Sequence, residues 1–402
     1  MAVTVDEALT LVRARALKAR KQKVPLGKAM GRVLARPVLA SRDQPPFNAS
    51  AMDGYATRKD FLSGDQATLT VIGESSAGRA FEGRLGADEA VRIFTGAPVP
   101  ADCDAIVIQE NVVRGEQIIE LTPDGRVPMP THIRKAGQDF KAGDTLLERG
   151  VRLDPWRLSL AAAAGCDTLS VVRRPHVVVL CTGDELVLPG YNPKADQIYE
   201  SASYALMALI RQWGGKASYL GLQGDDAKGI HKALKGVKAD LIVTVGGASV
   251  GDYDLVKPAL AKLGLTLDFD SVKVRPGKPT SFGALEDGRR ALSLPGNPAS
   301  AFVTAQLFLK VWIEASLGME ATSPFVTALV QGVLGPAGPR EAYLRAKLSS
   351  SSYGQLQVTA FDDQDSSLVS VFARADALIR LPAGAAAQKT GARVIVLPLD
   401  RL

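Results

Sequence analysis

Apolar runs and helical spacings alternate along residues 175–322. Three runs, HVVVLC (176–181), ASYLGL (217–222) and DLIVTV (240–245), read as strands, and the first has the continuous apolar character of a strand buried on both faces. Helical spacing follows the first run, where apolar residues recur at i, i+3, i+4 and i+7: Leu206, Leu209, Ile210 and Trp213. This alternation predicts a parallel sheet with crossover helices, and the apolar segment after Asn297 predicts a largely buried helix.

The flanking regions have other patterns. Residues 45–136 contain short β-like runs broken by Gly and Pro, which predict a mostly β insertion. Residues 1–44 predict a helix and an extended arm, and residues 137–174 are expected to pack against that arm. In residues 323–402, apolar and polar positions alternate, which predicts a small β domain. The predicted fold class is therefore multidomain α/β. A central parallel-sheet domain (175–322) is joined by a mixed helical and extended domain (1–44 plus 137–174), the β insertion (45–136) and a C-terminal β domain (323–402).

Composition and charge narrow the class of protein and its expected partners. The 402 residues are 46% hydrophobic and 22% charged, as in a globular protein, and the net charge of +6 mildly favours anionic partners. One basic cluster has no aromatic residues for base stacking, so a solvated helix face is favoured and no nucleic-acid partner is expected; it comprises Arg13, Arg15, Lys18, Arg20, Lys21, Lys23 and Lys28.

The cysteines and the apolar segments suggest a compartment. Cys103, Cys166 and Cys181 show no CxxC spacing, which fits a reducing environment. The start of the chain lacks a signal-peptide pattern, and no apolar run reaches the ~18 residues needed to span a bilayer. The expectation is a cytoplasmic protein without a membrane partner.

Acidic residues follow each of the three predicted strands. Ligands bind outside the carboxyl ends of such strands, so TGDEL, GDD and GGASVGDYD should converge on one crevice. The six acids are Asp184, Glu185, Asp225, Asp226, Asp252 and Asp254. Carboxylates of this kind hold Mg²⁺ together with substrate phosphates, while the glycines at 246 and 247 let the backbone approach the ligand. The alternative is that several acids cap helices, with Asp226 and Asp252 the foremost candidates.

Two further segments predict anion binding. In PGNPASA (295–301), Asn297 is a candidate N-cap and Pro298 a first helical residue, so free N–H groups would face a phosphate or an oxyanion; a merely well-capped helix is the alternative. In KVRPGKPTSFG (273–283), three cations on a proline-held loop could clamp a phosphoryl group or a molybdate-like oxyanion; a solvated basic loop is the alternative.

Other reactive residues give no sharp signal. His132, His176 and His231 lack ligand spacing and are interpreted as structural or surface residues. Cys181 has no neighbouring base in sequence, which favours a buried thiol. The glycine-rich loops match neither the dinucleotide-binding fingerprint nor the P-loop.

Six motifs in order resemble one family, the molybdopterin molybdenumtransferases, which include the carboxyl-terminal domain of gephyrin. They are SAMDGYA (50–56), RIFTGAPVP (92–100), TGDEL (182–186), GGASVGDYD (246–254), RPGKPTSFG (275–283) and LPGNPASA (294–301). The resemblance implies four domains, an elongated homodimer and a pterin site in the sheet-bearing domain. It also implies a Mg²⁺-dependent insertion of molybdate into adenylylated molybdopterin with release of AMP, the final step of molybdenum cofactor biosynthesis.

The resemblance also implies roles for individual residues. Glu185, Asp225 and Asp254 would bind the cation, and Lys273, Arg275 and Lys278 would hold molybdate or phosphate. Thr182, Gly183, Gly246, Gly247 and Ser249 would cradle the substrate, with the helix start formed by Pro295, Gly296, Asn297, Pro298 and Ser300 at its terminal phosphate. Asp53, Thr95 and Asp139 follow from motif match alone, the first two from the second subunit. The catalytic set is Asp53, Thr95, Asp139, Glu185, Asp254 and Lys278.

The chain departs from the family pattern at three positions, and other functions compete. PPFNASAMDGYA has Asn48 and Ala49 in place of an acid and an amide, and ESASY has Ala202 in place of an asparagine, so polar groups near the expected substrate are lost. A non-catalytic dimeric scaffold and a molybdopterin adenylyltransferase are the alternative functions. The adenylyltransferase and other cofactor-synthesis proteins are candidate partners.

Overall fold

A computed structural model describes residues 2–62, 68–126, 131–247 and 255–399. The chain divides into two compact units. The first unit comprises Met1–Gln22, Gly31–Ala35 and Ser170–Leu402, and the second comprises Lys23–Met30 and Arg36–Leu169. The partition into four domains remains a prediction.

The first stretch of the chain is mostly strand. Its elements are β1 (Ala2–Val3), α1 (Val5–Ala14), β2 (Lys21–Pro25), β3 (Val38–Leu39), β4 (Ala49–Ser50), β5 (Gly54–Thr57), β6 (Thr68–Ser75), β7 (Glu89–Ile93), β8 (Ala105–Ile108), β9 (Val112–Arg114), β10 (Ile118–Leu121), β11 (Ile133–Arg134), β12 (Thr145–Leu147), α2 (Pro155–Ala163) and β13 (Thr168–Val172). Short 3₁₀ turns lie at Leu26–Lys28, Lys59–Leu62, Gln109–Asn111 and Pro123–Arg126.

Helices and strands alternate in the middle of the chain. The elements are β14 (His176–Thr182), β15 (Leu186–Val187), β16 (Ile198–Tyr199), α3 (Ala202–Gln212), β17 (Lys216–Gln223), α4 (Ala227–Leu234), β18 (Leu241–Val245), α5 (Val256–Ala261), β19 (Thr266–Phe269), β20 (Ser271–Val272), β21 (Val274–Arg275), β22 (Ser281–Ala284), β23 (Arg290–Leu294), α6 (Pro298–Thr304), a π-helical turn (Ala305–Leu309) and α7 (Lys310–Ser316). Strands again dominate the last part, with β24 (Val326–Val330), β25 (Glu341–Ser350), β26 (Leu356–Ala360), α8 (Val369–Arg374), β27 (Ala377–Leu381) and β28 (Arg393–Pro398).

The central sheet of the first unit has the order β17-β14-β18-β23-β22-β19. The strands β17, β14, β18 and β23 are parallel, and Val177 of β14 pairs with Ala217 on one side and Leu241 on the other. Because helices cover both faces, β14 and β18 consist largely of buried apolar residues. The prediction of a parallel sheet is confirmed for these four strands. The sheet also contains β22 and β19, which the sequence analysis did not predict: a short hairpin at 285–289 returns the chain, so β22 runs antiparallel to β23, and β22 pairs antiparallel with β19 as well.

Apolar helix faces supply the rest of this core. Leu206 and Ile210 of α3 and Trp312 of α7 are fully buried in the cluster that covers one face of the sheet. Ile230 of α4 and Leu260 of α5 lie in a second cluster with Leu180, Ile242 and Ala291 of the sheet. The long apolar helix predicted after Asn297 is present as α6, the π turn and α7.

The carboxyl-terminal part of the first unit is a closed β structure. Strands β25, β26, β24, β28 and β27 pair in that order, and β27 pairs back with β25, so the ring has no open edge. Only β24 and β26 pair parallel within the ring. Alternate residues such as Val330, Ala346, Ile379 and Val396 fill its core. The predicted β structure of the C-terminal part is confirmed.

The second unit is built on a six-stranded sheet with the order β8-β5-β7-β6-β10-β9. Its core contains Tyr55, Leu69, Ala90 and Ile119. In addition, β12 pairs with β3, so the segment after 137 packs against the early arm as predicted. Helix α2 begins at an Asp154 cap that accepts the N–H of Arg157 at 2.8 Å.

One element prediction for the basic cluster is wrong. The cluster does not form a helix face, because α1 ends at Ala14 and residues 21–25 form β2. The side chain of Arg15 turns to Asp268 and pairs with it at 2.7 Å, which fits the end of the helix at this point. The multidomain α/β fold class as a whole is confirmed. Among the described residues, no helix is long and apolar enough to cross a membrane.

Candidate active site

A pocket of about 550 Å³ lies at the carboxyl ends of the parallel strands of the first unit. The residues just after β14, β17, β18 and β23 contribute to its wall, as the convergence of loops predicts. Its lining includes Cys181, Thr182, Gly183, Glu185, Leu186, Ile198, Tyr199, Glu200, Ser201, Ala202, Asp225, Val245, Gly246, Gly247, Pro279, Pro295, Gly296, Asn297, Pro298, Ser367 and Val369.

One side-chain and one backbone hydrogen bond join the loops after β14 and β17. Oδ1 of Asp184 accepts the N–H of Asp225 at 3.0 Å, and the N–H of Gly183 donates to the carbonyl of Gln223 at 3.1 Å. An ideal Cβ on Gly224 would stand 2.7 Å from that same Asp184 oxygen, so a larger residue there would displace this carboxylate. Asp184 therefore positions the loop that presents Asp225.

Close backbone approach explains the glycines after β18. Gly246 has a φ of +92°, and an ideal Cβ there would stand 2.3 Å from the carbonyl oxygen of Thr182. Gly247 has a φ of +60° and no room beside Val256. Only glycine fits both conditions at little cost, so this turn brings its backbone against the end of β14. The hydroxyl of Thr182 is buried here and has no hydrogen-bond partner among the described residues.

The acidic residues separate into two groups. Glu185 and Asp225 are exposed and line the pocket together. Asp226 instead caps α4, where it accepts the N–H groups of Lys228 at 3.0 Å and Gly229 at 2.8 Å; these bonds lower the pKa of its carboxyl. The capping alternative is thus confirmed for Asp226. Ser249, Asp252 and Asp254 lie outside the described residues.

Glu200 is a pocket residue that the sequence interpretation missed. It is 1% exposed, and its carboxylate accepts the N–H of Ser203 at 2.8 Å and the hydroxyl of Ser203 at 2.5 Å. The thiol of Cys181 lies 3.4 Å from the same carboxylate. Cys181 is fully buried, as predicted, and this burial, together with the Glu200 charge, raises the pKa of its thiol. The signal in the sequence is ESASY, where an acid stands two residues before an apolar helix.

The start of α6 differs from the prediction in the role of Asn297. Pro298 occupies the first turn as predicted, but the Asn297 side chain makes no capping hydrogen bond. Its amide nitrogen instead donates to Oγ of Ser366 at 2.9 Å, and the carbonyl of Ser366 accepts the N–H of Ala299. Asn297 therefore joins the helix start to the segment 365–368. An ideal Cβ on Gly296 would lie 3.4 Å from Cα of Gly246, so the loops after β18 and β23 are also adjacent.

The predicted basic loop borders the pocket without lining it. Pro279 lies in the pocket wall, whereas Lys273, Arg275 and Lys278 are exposed and absent from it. No described acid forms an ion pair with any of the three. Gly277 explains the position of the loop: an ideal Cβ there would stand 2.2 Å from Cγ2 of Thr304, so the loop packs directly on α6.

Three family models match successive parts of the chain. They are the MoeA N-terminal region (domain I and II) over residues 3–165, the probable molybdopterin binding domain over 178–315 and the MoeA C-terminal region (domain IV) over 333–399. A relative from Haemophilus influenzae, named molybdopterin molybdenumtransferase, is 34% identical and covers 94% of this chain and 93% of its own. The chain belongs to the molybdopterin molybdenumtransferase family.

Other family members agree over most of the chain. A Mycobacterium tuberculosis protein named molybdopterin molybdenumtransferase 2 is 37% identical over 79% of this chain and 81% of its own length. A solved molybdopterin biosynthesis MoeA protein from Pyrococcus horikoshii has a TM-score of 0.84 at 25% identity and covers 99% of this chain and 100% of its own. The family resemblance and the fold are thus confirmed.

Two family-motif residues of the second unit lie together. Oδ1 of Asp53 accepts the N–H of Thr95 at 2.7 Å and the Thr95 hydroxyl at 2.8 Å. The N–H group, the hydroxyl and the nearby Arg92 hold the pKa of Asp53 below its usual value. Asp139 is exposed, and its N–H donates to the carbonyl of Gln44 at 2.9 Å.

Arg92 is a second residue that sequence reasoning missed in this family motif. Its guanidinium lies 4.9 Å from the ring centres of both Tyr55 and Phe94 and donates to Gln109 at 2.8 Å. The stacking fixes a positive charge beside Asp53. RIFTGAPVP contains this arginine, but its strand position gave no chemical signal.

Proposed function

We propose that the chain is a molybdopterin molybdenumtransferase that inserts molybdate into adenylylated molybdopterin and releases AMP. The observation that carries this proposal is the pocket at the carboxyl ends of β14, β17, β18 and β23. It lies within the segment that matches a molybdopterin-binding model, and the relatives with that name cover nearly the whole chain. A volume of about 550 Å³ suits a ligand of the size of a pterin or a nucleotide.

The backbone of the glycine turns supports substrate binding in this pocket. Gly247 and Gly296 carry no side chains, so their N–H groups can approach phosphate oxygens closely, whereas the N–H of Gly246 donates to the carbonyl of Leu294. The unpartnered Thr182 hydroxyl is a donor or acceptor that a bound substrate would satisfy, because buried polar groups are nearly always hydrogen-bonded. Pro295, Asn297, Pro298 and Ser300 belong to the same end of the pocket in this proposal, at the terminal phosphate of the pterin.

The carboxylates of Glu185 and Asp225 fit a magnesium ion. They line the same pocket, are exposed to it and offer the oxygen ligands that Mg²⁺ prefers. The described residues contain no group of three or more His, Cys, Asp or Glu placed to hold a metal, so a cation would take its other ligands from water, substrate phosphate and the proposed Asp254. When bound, Mg²⁺ would neutralise negative charge on the phosphoryl oxygens.

The exposed cations beside the pocket supply the complementary charge. Lys273, Arg275 and Lys278 would hold molybdate or the phosphoryl group, and Lys278 is next to Pro279 of the pocket wall. Glu200 is tied to Ser203 at the start of α3 and would keep the wall at Ser201 and Ala202 in place. Since the AMP leaving group is anionic, cations at this end would also stabilise its departure.

A homodimer completes the proposal. Asp53 and Thr95 form a charged, hydrogen-bonded pair in the second unit, and they would act at the pocket of the other subunit. Asp139 is included by motif match alone. Mixing Asp53→Ala subunits with Asp254→Asn subunits should restore part of the activity, since one of the two sites would then be intact. No recovery would argue that each subunit holds a self-contained site.

The function is tested by AMP release from purified protein. The protein is incubated with adenylylated molybdopterin, with and without molybdate and Mg²⁺, and AMP is measured chromatographically. We expect AMP only when both are present, and expect Asp254→Asn and Lys278→Ala each to abolish it while the circular dichroism spectrum stays unchanged. Wild-type turnover in both variants would remove the proposed site.

The same assay separates the alternative functions. An adenylyltransferase would instead convert molybdopterin and ATP to the adenylylated form, and a scaffold would show neither reaction. The family models over 3–165 and 333–399 favour the transferase of the complete chain over an enzyme that consists of the sheet domain alone.

A further inference from the structure

A second cavity lies at the opposite edge of the central sheet. It has a volume of about 400 Å³ and is near the amino ends of β14 and β17. Its lining residues are Gln22, Arg32, Arg173, Arg174, Arg211, Gly215, Lys216 and Ala217. Five of the eight are cationic, and all belong to the first unit. None belongs to the candidate active site.

Secondary structure fixes the positions of the surrounding cations. Arg174 precedes β14 by two residues, and Lys216 is the first residue of β17. The N–H of Lys216 donates to the carbonyl of Pro175 at 2.8 Å. Arg211 lies in the last turn of α3. Gly215 permits the tight connection from α3 to β17, since an ideal Cβ there would stand 2.8 Å from Cγ2 of Ile210. The cluster is therefore built on the rigid parts of the sheet domain.

Among the described residues, a carboxylate pairs with only one of these cations. Arg173 pairs with Asp240 at 2.8 Å, and the N–H of His176 donates to the same carboxylate. In the described part of the chain, Arg174, Arg211 and Lys216 form no ion pair. The dipole of α3 favours a cation such as Arg211 at the end of the helix, but it does not explain why Arg174 and Lys216 line the same cavity.

Arg32 distinguishes this cluster from a solvated basic surface. The residue is 8% exposed, so its charge is largely removed from water. Its Nη2 donates to the carbonyl of Val172 at 3.0 Å and to Oε1 of Gln22 at 2.9 Å, and both acceptors are neutral. Its Nε is buried without a partner among the described residues. Burial and the charge of Arg174 lower the pKa of Arg32, so the cation is held in an unfavourable setting.

We propose that this cavity binds a compact tetrahedral oxyanion with two negative charges, of the phosphate class. Guanidinium groups match such oxyanions through paired hydrogen bonds, and one dianion would offset half of the four positive charges of Arg32, Arg174, Arg211 and Lys216. The lining contains no aromatic side chain for a base to stack on, so the ligand is recognised through its oxyanion alone.

The test is calorimetric titration of the full chain with inorganic phosphate at constant ionic strength in chloride. The main variant is the double substitution Arg174→Gln with Arg211→Gln, because both side chains are exposed and their loss should leave the fold intact. Arg149→Gln is the matched control, since Arg149 is exposed and lies in the second unit. Binding of phosphate at the candidate active site is common to all three proteins and cancels in the comparison.

We expect wild type and Arg149→Gln to bind phosphate equally, and the double variant to bind at this site about 100-fold more weakly, at about tenfold for each charge-assisted contact. Molybdate should displace phosphate from wild type, and its relative affinity identifies which oxyanion the site prefers. Equal binding by the double variant, no saturable binding by wild type, or equal displacement by chloride would each overturn the proposal.

Discussion

Oδ1 of Asp184 accepts the backbone N–H of Asp225 across a distance of 3.0 Å. Together with the bond from the N–H of Gly183 to the carbonyl of Gln223, it joins the segments that follow β14 and β17, and so helps to set the separation between two pocket residues, Glu185 and Asp225. Loop geometry of this kind matters for catalysis because small misplacements of charged groups cost large factors in rate.

Replacement of Asp184 by alanine should loosen the Asp225 loop. We expect Asp184→Ala to lower kcat/KM for AMP release about tenfold, the effect of losing one hydrogen bond of about 1.4 kcal/mol to a charged acceptor. Asp184→Asn is the control, since its amide oxygen can still accept the N–H, and it should keep most of the activity. Equal losses in both variants would mean that the charge of Asp184 matters and the loop contact does not.

Gly246 should tolerate no side chain. A Cβ would stand 2.3 Å from the Thr182 carbonyl oxygen, so Gly246→Ala should lower the free energy of unfolding by about 3 kcal/mol, measured by urea denaturation. Gly236 also has a positive φ, +75°, but an added Cβ would meet nothing within 4 Å. Gly236→Ala should therefore cost only about 1 kcal/mol, the backbone strain alone. Similar costs at the two positions would contradict the close approach at Gly246.

The Asp53–Thr95 pair should make stability depend on pH. The folded pKa of Asp53 lies below its unfolded value near 4, so its contribution is present above that value and is lost as pH falls through the folded pKa. Thr95→Val removes the hydroxyl and leaves the N–H, so part of this contribution should disappear. The free energy of unfolding between pH 2.5 and 7 measures it.

A matched threonine variant controls for the change in side chain. Thr70 is exposed on β6, and Thr70→Val should leave the pH dependence of wild type unchanged. Identical pH profiles for Thr95→Val and wild type would show that the hydroxyl does not stabilise the Asp53 carboxylate.

The three cysteines should differ in reactivity. Burial raises the pKa of Cys103 to about 12 and also raises that of Cys181, while Cys166 is only half-buried. A disulfide reagent at pH 8 should therefore modify Cys166 first, and Cys103 and Cys181 only after unfolding, because the thiolate is the reactive form. Peptide mapping of the modified protein gives the order. Rapid labelling of Cys181 in the folded protein would contradict its buried position.

Periodicity predicted the elements that position the site, because buried parallel strands and amphipathic helices have strong patterns. The run HVVVLC and the helical spacing of Leu206 and Ile210 correspond to β14 and α3. The antiparallel edge formed by β22 and β19 was missed, since periodicity carries no information about strand direction. The prediction of a helix for the basic cluster is wrong because charged residues can be exposed to water on a strand or a loop as well as on a helix.

Residues in loops that follow strands could be placed from the sequence, whereas contacts between distant segments could not, and the functional roles of the site residues stay predictions. Thr182, Glu185, Asp225 and Gly246 line the pocket because strand ends gather at one edge of the sheet. The role of Glu200 depends on its contact with Ser203, and that of Arg92 on stacking with two rings. The Asn297 amide turned to Ser366, 69 residues away, a partner that no local capping rule provides.

We propose that Glu185 and Asp225 together serve molybdenum transfer from one pocket. The most direct test is molybdate-dependent AMP release by the double variant Glu185→Gln with Asp225→Asn, compared with wild type and with Glu320→Gln, an exposed acid that does not line the pocket. We expect at least a 100-fold loss in the double variant, about tenfold for each charged contact, and no loss in the control. Wild-type release by the double variant at saturating Mg²⁺ would contradict it.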